Sequence, residues 1–164
     1  MIIVLEETLN NILFLCVGDS NIIGDSLGPL IGSFIKNNKN MIFPKKKIEV
    51  IGTMNKPIGY NSLDRYINKN NEIKKNNTFI IIDSALGSRK HIGKIIVDKS
   101  SLYAGNGINE GKILKGDILI RGIVGKNYND NILNSRELKN IKAKEIDNIA
   151  SKIIINILPF LFKV

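Results

Sequence analysis

Six consecutive apolar residues, Ile12-Leu13-Phe14-Leu15-Cys16-Val17, stop at Gly18. An apolar run of that length, with no polar residue alternating through it, suits a strand buried on both faces, as in a parallel sheet. The signal repeats along the chain. Phe79-Ile80-Ile81-Ile82 ends at Asp83, and Ile48 to Ile51 is stopped by Gly52. Ile95-Ile96-Val97 and Ile118-Leu119-Ile120 read as further strands. Helical spacing intervenes at Leu27, Leu30, Ile31, Phe34 and Ile35, with Pro29 in the first turn, where a missing N–H does no harm. Tyr60 to Ile67 suggests a short helix with Leu63, Tyr66 and Ile67 on one face. Ile146, Ile149, Ala150, Ile153, Ile154, Ile157 and Leu158 recur at i, i+3, i+4 and predict an amphipathic closing helix. Strands alternating with helices predict an α/β three-layer sandwich with a mainly parallel sheet. The segment from Lys90 to Gly125 carries strands without a helix, so an antiparallel excursion is expected there. With 164 residues, no internal repeat and no linker, the expectation is one domain over 1–164.

Composition narrows the function classes. No apolar run reaches the roughly 20 residues that a membrane-spanning helix needs. The longest candidate, Ile153 to Val164, is broken by Asn156 and Pro159. The N-terminus lacks the pattern of a signal peptide. Cys16 is the single cysteine, so a disulfide framework and a cysteine metal cluster are both excluded. Together these features point to the reducing cytoplasm. The net charge of +9 comes mainly from lysines in Asn- and Ile-rich stretches such as Lys36-Asn37-Asn38-Lys39-Asn40. Those lysines are not interleaved with aromatics, so direct nucleic-acid binding is not expected.

In open α/β sheets, ligands sit beyond the carboxyl ends of the strands. The first strand runs into Gly18-Asp19-Ser20-Asn21 and then Gly24-Asp25-Ser26-Leu27-Gly28-Pro29. The third runs into Asp83-Ser84-Ala85-Leu86-Gly87-Ser88-Arg89. A third glycine-rich loop, Ala104-Gly105-Asn106-Gly107, can converge on the same place. Gly24-Asp25-Ser26-Leu27 spells the tetrapeptide of GDSL esterases, but a serine nucleophile needs a base. His91 is the sole histidine, and no Asp-x-x-His block exists. The Gly-x-Gly-x-x-Gly spacing of a dinucleotide site and the Gly-Lys-Ser/Thr of a Walker loop are also missing. Asp25, Asp83 and His91 could together bind a divalent ion, although transition metals usually take three or four protein ligands. The remaining chemistry is that of two carboxylates. If the strand ends meet, Asp25 and Asp83 cannot both ionise easily, so one keeps a proton while the other acts as a base. The bland alternative is that Asp25 caps the following helix and Asp83 orders a turn.

These same residues carry a resemblance. Val17-Gly18-Asp19-Ser20, Gly24-Asp25-Ser26-Leu27-Gly28-Pro29-Leu30, Ile82-Asp83-Ser84-Ala85-Leu86-Gly87, Gly105-Asn106-Gly107 and Gly122-Ile123-Val124 resemble the YyaC family of sporulation proteins. That family looks like a shortened relative of the germination protease of endospore formers, and it shares a fold with hydrogenase maturation endopeptidases. The resemblance implies an aspartic-type endopeptidase. Asp25 matches the first essential aspartate of the germination protease, and Asp83 matches the second. It also implies small acid-soluble spore proteins as substrates and the forespore as the setting. In the maturation enzymes, acids near these places bind nickel with a later histidine, and this sequence has no histidine beyond His91. Only about ten residues precede the first strand, so control by a long prosegment is not expected.

The expected function is therefore peptide-bond hydrolysis in sporulation by Asp25 and Asp83, with no cofactor. Asp19, Ser20, Asn21, Ser26 and Ser84, with the Gly105-Asn106-Gly107 loop, are the candidates to hold a polypeptide substrate. Arg89 and Lys90, close after Asp83 in sequence, could lower an acid's pKa or attract an acidic substrate, but read first as solvated surface residues. A metal-dependent maturation-type endopeptidase and a non-catalytic forespore binding protein remain as alternatives. Association into a homo-oligomer is compatible with all three.

Overall fold

The computed structural model describes residues 11–59, 62, 65–66, 77–99, 101–104 and 112–161. Its centre is a five-stranded sheet in the order β2-β1-β3-β7-β4. Strands β1 (Asn11–Cys16), β2 (Lys47–Ile51), β3 (Thr78–Gly87) and β7 (Ile118–Lys126) are parallel. β4 (Ile95–Asp98) pairs antiparallel with β7. β5 (Ser101–Ala104) and β6 (Lys112–Lys115) form a separate antiparallel pair. The expected antiparallel excursion between Lys90 and Gly125 is thus present. Gly93 makes the turn before β4, with a φ of 82° that L side chains rarely adopt.

The apolar runs are buried because they occupy the central strands. Ile12, Phe14, Ile80, Ile82, Ile118 and Ile120 face one side of the sheet and pack against helix α1 (Leu27–Ile42) through Leu27, Ile31 and Ile35. All nine side chains are fully enclosed. An enclosed Leu, Ile or Phe contributes roughly 1.5–3 kcal/mol, so this layer supplies most of what holds helix to sheet. The Phe14 and Phe43 rings add a stacked pair with centroids 6.0 Å apart. Leu13, Leu15, Phe79, Ile81 and Leu119 face the other side, where Val17, Ile58, Ile51 and Tyr66 join them. Most of the expected helix over Tyr60–Ile67 lies outside the described residues.

Two further helices cover the α1 side: α2 (Asn131–Asn140) and α3 (Ala143–Lys152). The anticipated closing helix is present, but it is not one uniform cylinder. After α3 comes a single π-helical turn, Ile153–Ile157, and then the short α4 (Leu158–Leu161). Pro159 has no N–H to give to Ile155, and widening the turn ahead of it relieves that mismatch. The apolar spacing did not foretell α2, which buries no residue fully. Its signal is polar instead: Asp130 caps the helix by accepting the N–H of Leu133 at 2.8 Å.

One difference bears on the site. The third strand was expected to stop at Asp83, but β3 continues to Gly87 because β7 keeps pairing with it, Asp83 against Arg121 and Gly87 against Lys126. The register slips between Ala85 and Leu86, where β7 carries one extra residue. Such bulges re-aim neighbouring side chains.

Candidate functional site

The chain leaves β1 for β2 on one side and reaches β3 on the other, so the carboxyl ends of β1 and β3 flank a topological switch point. Glycines let the chain close tightly there. Gly18 has a φ of 147°, and a Cβ on it would lie 1.9 Å from the carbonyl oxygen of Asp25. A Cβ on Gly28 would lie 2.1 Å from the carbonyl oxygen of Val17 and 2.9 Å from that of Ile82. The first turn of α1 therefore sits directly on the ends of β1 and β3. This close approach carries Asp25 to the sheet.

Asp25 closes a short 3-10 turn, Ile23–Asp25, just ahead of α1. Its Oδ2 accepts the N–H of Asp19 at 2.9 Å. Its Oδ1 accepts the hydroxyl of Ser84 at 3.1 Å. Neither contact is a helix cap, so the capping alternative for Asp25 does not hold. Ser26 occupies the cap position, but its hydroxyl donates back to the Ile23 carbonyl at 2.7 Å. Asp83 lies inside β3 rather than in a turn, and its Oδ1 accepts the N–H of Ser84 at 2.9 Å. Ser84 thus touches both acids, one through its hydroxyl and one through its amide. Strand alternation places Ser84 on the α1 side and Asp83 on the opposite face.

Both carboxylates are half-buried. Burial is the largest influence on each, and it raises both pKa values, because the charged form loses water. For Asp25 the bonds from the Asp19 amide and the Ser84 hydroxyl pull the other way, and the charge of Asp19 adds to the rise. Asp83 is held well above the ordinary carboxylate range by burial and by the negative charge of Asp25, against the Ser84 amide and the Arg121 guanidinium. The two donors aimed at Asp25 favour its charged form, whereas the charge of Asp25 disfavours that of Asp83.

The remaining sequence candidates fall as follows. Asp19 is half-buried and accepts the N–H of Asn21 at 2.8 Å, closing a tight turn. Ser20 is half-buried beside it, and Asn21 is exposed. Gly105, Asn106 and Gly107 lie outside the described residues. Arg89 and Lys90 do not lie beside Asp83. Because β3 runs on to Gly87, they fall in an exposed 3-10 turn, Arg89–His91. The cation beside Asp83 is Arg121, its partner in the neighbouring parallel strand. Arg121 was missed, yet its signal is present in the sequence. It follows the apolar run Ile118-Leu119-Ile120 just as Asp83 follows Phe79-Ile80-Ile81-Ile82. Its Nη2 meets Asp98 Oδ2 at 3.2 Å, while its Nε is buried without a hydrogen-bond partner. With side chains 34% and 33% exposed, such an ion pair returns only about 0.2–1 kcal/mol. An unpartnered buried donor costs about 1–3 kcal/mol. Fold stability alone does not explain Arg121.

A transition-metal centre does not fit these residues. Among the described residues no group of three or more His, Cys, Asp or Glu comes together as a metal-binding set. The His91 Nδ1 lies 3.0 Å from the Ser88 hydroxyl. Cys16 is fully buried, and burial pushes its thiol far above the range in which it ionises. Among the described residues no helix is long and apolar enough to cross a membrane.

The arrangement defines a class of fold. It is similar to that of the [NiFe] hydrogenase maturation protease HycI from Thermococcus kodakarensis KOD1, with a TM-score of 0.58 and 18% identity over 94% of each chain. At that identity the likeness is one of fold. The chain itself belongs to the DUF1256 family, described as proteins of unknown function, whose profile matches residues 1–156. It is 32% identical over 113 residues to the uncharacterized protein YyaC of Bacillus subtilis (strain 168), an alignment covering 69% of this chain and 53% of that protein. The chain spans about half the length of this curated relative. The expected kinship with YyaC and the expected fold both hold.

Proposed function

We propose that this chain is an endopeptidase in which Asp25 and Asp83 act as a paired base and acid. The observation that carries the reading is the unlike surroundings of the two carboxylates: burial raises both, but Asp25 has the Asp19 amide and the Ser84 hydroxyl aimed at its charged form, while Asp83 feels the negative charge of Asp25 and is raised further. Ionised Asp25 takes a proton from a water as its oxygen attacks the peptide carbonyl. Protonated Asp83 gives its proton to the departing amine. Asp25 then releases the proton it took to water and Asp83 regains one from water, and the pair is reset. Acid–base assistance of this kind contributes about 10²–10⁴-fold to rate. The maturation-protease fold supports a peptidase, and the proposed setting is sporulation in the forespore. Small acid-soluble spore proteins are the proposed substrates, and a net charge of +9 favours acidic polypeptides.

The test is incubation of the purified protein with a small acid-soluble spore protein, read by mass spectrometry. Wild type produces defined fragments, and Asp25→Asn or Asp83→Asn loses at least about 100-fold in rate while keeping its fold by circular dichroism. Fragments that persist undiminished in both variants refute the carboxylate mechanism. Cleavage that disappears with a chelator and returns with nickel or zinc transfers the function to a metal enzyme. An intact substrate that nevertheless binds makes the chain a binding protein.

A further inference from the structure

Arg121 stands out as the described residue whose side chain keeps a buried nitrogen, Nε, with no hydrogen-bond partner. Three placements show where that donor belongs. Arg121 pairs with Asp83 across two neighbouring parallel strands, so both side chains rise from the same face of the sheet. Asp98, on the antiparallel edge strand β4, grips the far end of the guanidinium at 3.2 Å. Just past this pair, β7 bulges by one residue. The guanidinium is thus anchored at Nη2 and left with Nε unspent, beside the acid that must carry negative charge partway through the proposed reaction.

We propose that Arg121 is the positioning residue of the site, held by Asp98 to receive the carboxylate of Asp83 once that acid has given up its proton. The inference rests on the peptidase reading above. When the amine departs, the O–H bond of Asp83 breaks, a new N–H bond forms on the leaving group, and the electron pair stays on the Asp83 carboxylate. That charge arises in a half-buried place next to Asp25, where water is scarce. Arg121 supplies a fixed positive partner with a free donor, and such a partner favours the charged form. Asp25, which by then holds the proton from water, is neutral, so the two acids do not repel at that moment. The reset returns a proton from Asp25 to Asp83 through water and frees Arg121. Among the described residues, the charged groups that act on the acids are Asp19 and Asp25 from the loop ahead of α1 and Arg121 from β7, with Asp98 behind Arg121 on β4.

The test follows the Asp83 side-chain carboxyl by carbon NMR as pH is raised, in wild type, Arg121→Met, Arg121→Lys and Asp98→Asn. The readout needs no substrate, so it stands even if no cleavage is found. Arg121→Met moves the Asp83 midpoint to higher pH. Arg121→Lys restores part of the difference, and Asp98→Asn moves the midpoint away from its wild-type place, because the guanidinium is no longer held or shared with Asp98. An Asp83 midpoint unchanged in Arg121→Met overturns the proposal. Should Arg121→Met fail to fold, the Asp98→Asn and Arg121→Lys titrations decide in its place, and no change in either overturns it. With an active wild type, the alkaline limb of the rate profile moves to higher pH in Arg121→Met and kcat falls about tenfold or more, at the lower end of acid–base effects. A loss confined to KM contradicts a role in proton transfer. Failure of wild type to cleave counts against the peptidase reading and leaves the titration to judge Arg121.

Discussion

Gly28→Ala sets two effects of opposite sign against each other. In an exposed helix, replacing glycine by alanine stabilises by about 1 kcal/mol. Gly28 is buried in the first turn of α1, where the new Cβ would stand 2.1 Å from the Val17 carbonyl oxygen, 2.8 Å from the Val17 nitrogen and 2.9 Å from the Ile82 carbonyl oxygen. Ordinary contact begins near 3.4 Å, so the worst approach is short by about 1.3 Å. All three neighbours are backbone atoms, held in turn by the bond from the Val17 N–H to the Ile82 carbonyl at 2.8 Å. No side chain can rotate away, so the helix must lift. Overpacking of this kind costs about 1–3 kcal/mol, and occasionally more. The rigid backbone puts Gly28→Ala at the upper end, and the net effect is a loss of about 2 kcal/mol or more after the helix gain. Lifting α1 also draws Asp25 off Ser84, and a misplacement near 1 Å can cost about 100-fold in rate. The assays are urea unfolding followed by circular dichroism, and cleavage by the folded variant. A variant as stable as wild type, or more so, refutes the close packing of α1 on the ends of β1 and β3 and with it the account of how Asp25 is placed.

Two further outcomes follow from the electrostatics. Asp83 has a raised folded pKa, so the folded protein holds a proton that the unfolded chain releases above about pH 3.9. The stability this provides is full below that pH and declines as pH rises toward the folded value. Asp83→Asn has no such proton to lose. The melting temperature of the variant relative to wild type therefore increases from pH 3.5 to pH 7, and a difference independent of pH contradicts the burial argument. Ser84→Ala removes a donor that lowers the pKa of Asp25. Asp25 then titrates at higher pH, and the acid limb of the cleavage profile moves up with it. An acid limb unmoved in Ser84→Ala refutes the assignment of the ionised role to Asp25.

The fold was legible because its central strands are buried on both faces and so lack polar alternation. Ile12–Val17 and Phe79–Ile82 announce themselves without any tertiary information. Helix α2 was not legible, since its ten residues bury none fully and Asp130 is its main local mark. The end of β3 was misplaced for a related reason. Asp83-Ser84-Ala85-Leu86-Gly87 looks like a loop when read alone, and only the pairing with β7 keeps it extended. That error also hid Arg121, which register brings beside Asp83 from far along the chain. The pairing of Asp25 with Ser84 depends on Gly18 and Gly28 admitting backbone where a side chain would collide. Glycines in a loop are visible in a sequence, but what they let come close is not.

The central claim is that Asp25 and Asp83 hold one proton between them over the working pH range, on Asp83. It is tested most directly by following both side-chain carboxyls by carbon NMR through a pH titration, in wild type and in Asp25→Asn. The account predicts that Asp25 ionises first, that Asp83 remains protonated well above the ordinary carboxylate range, and that Asp25→Asn lowers the Asp83 midpoint by removing the charge beside it. Two carboxyls that ionise together in the ordinary range, with Asp83 indifferent to Asp25→Asn, would contradict it.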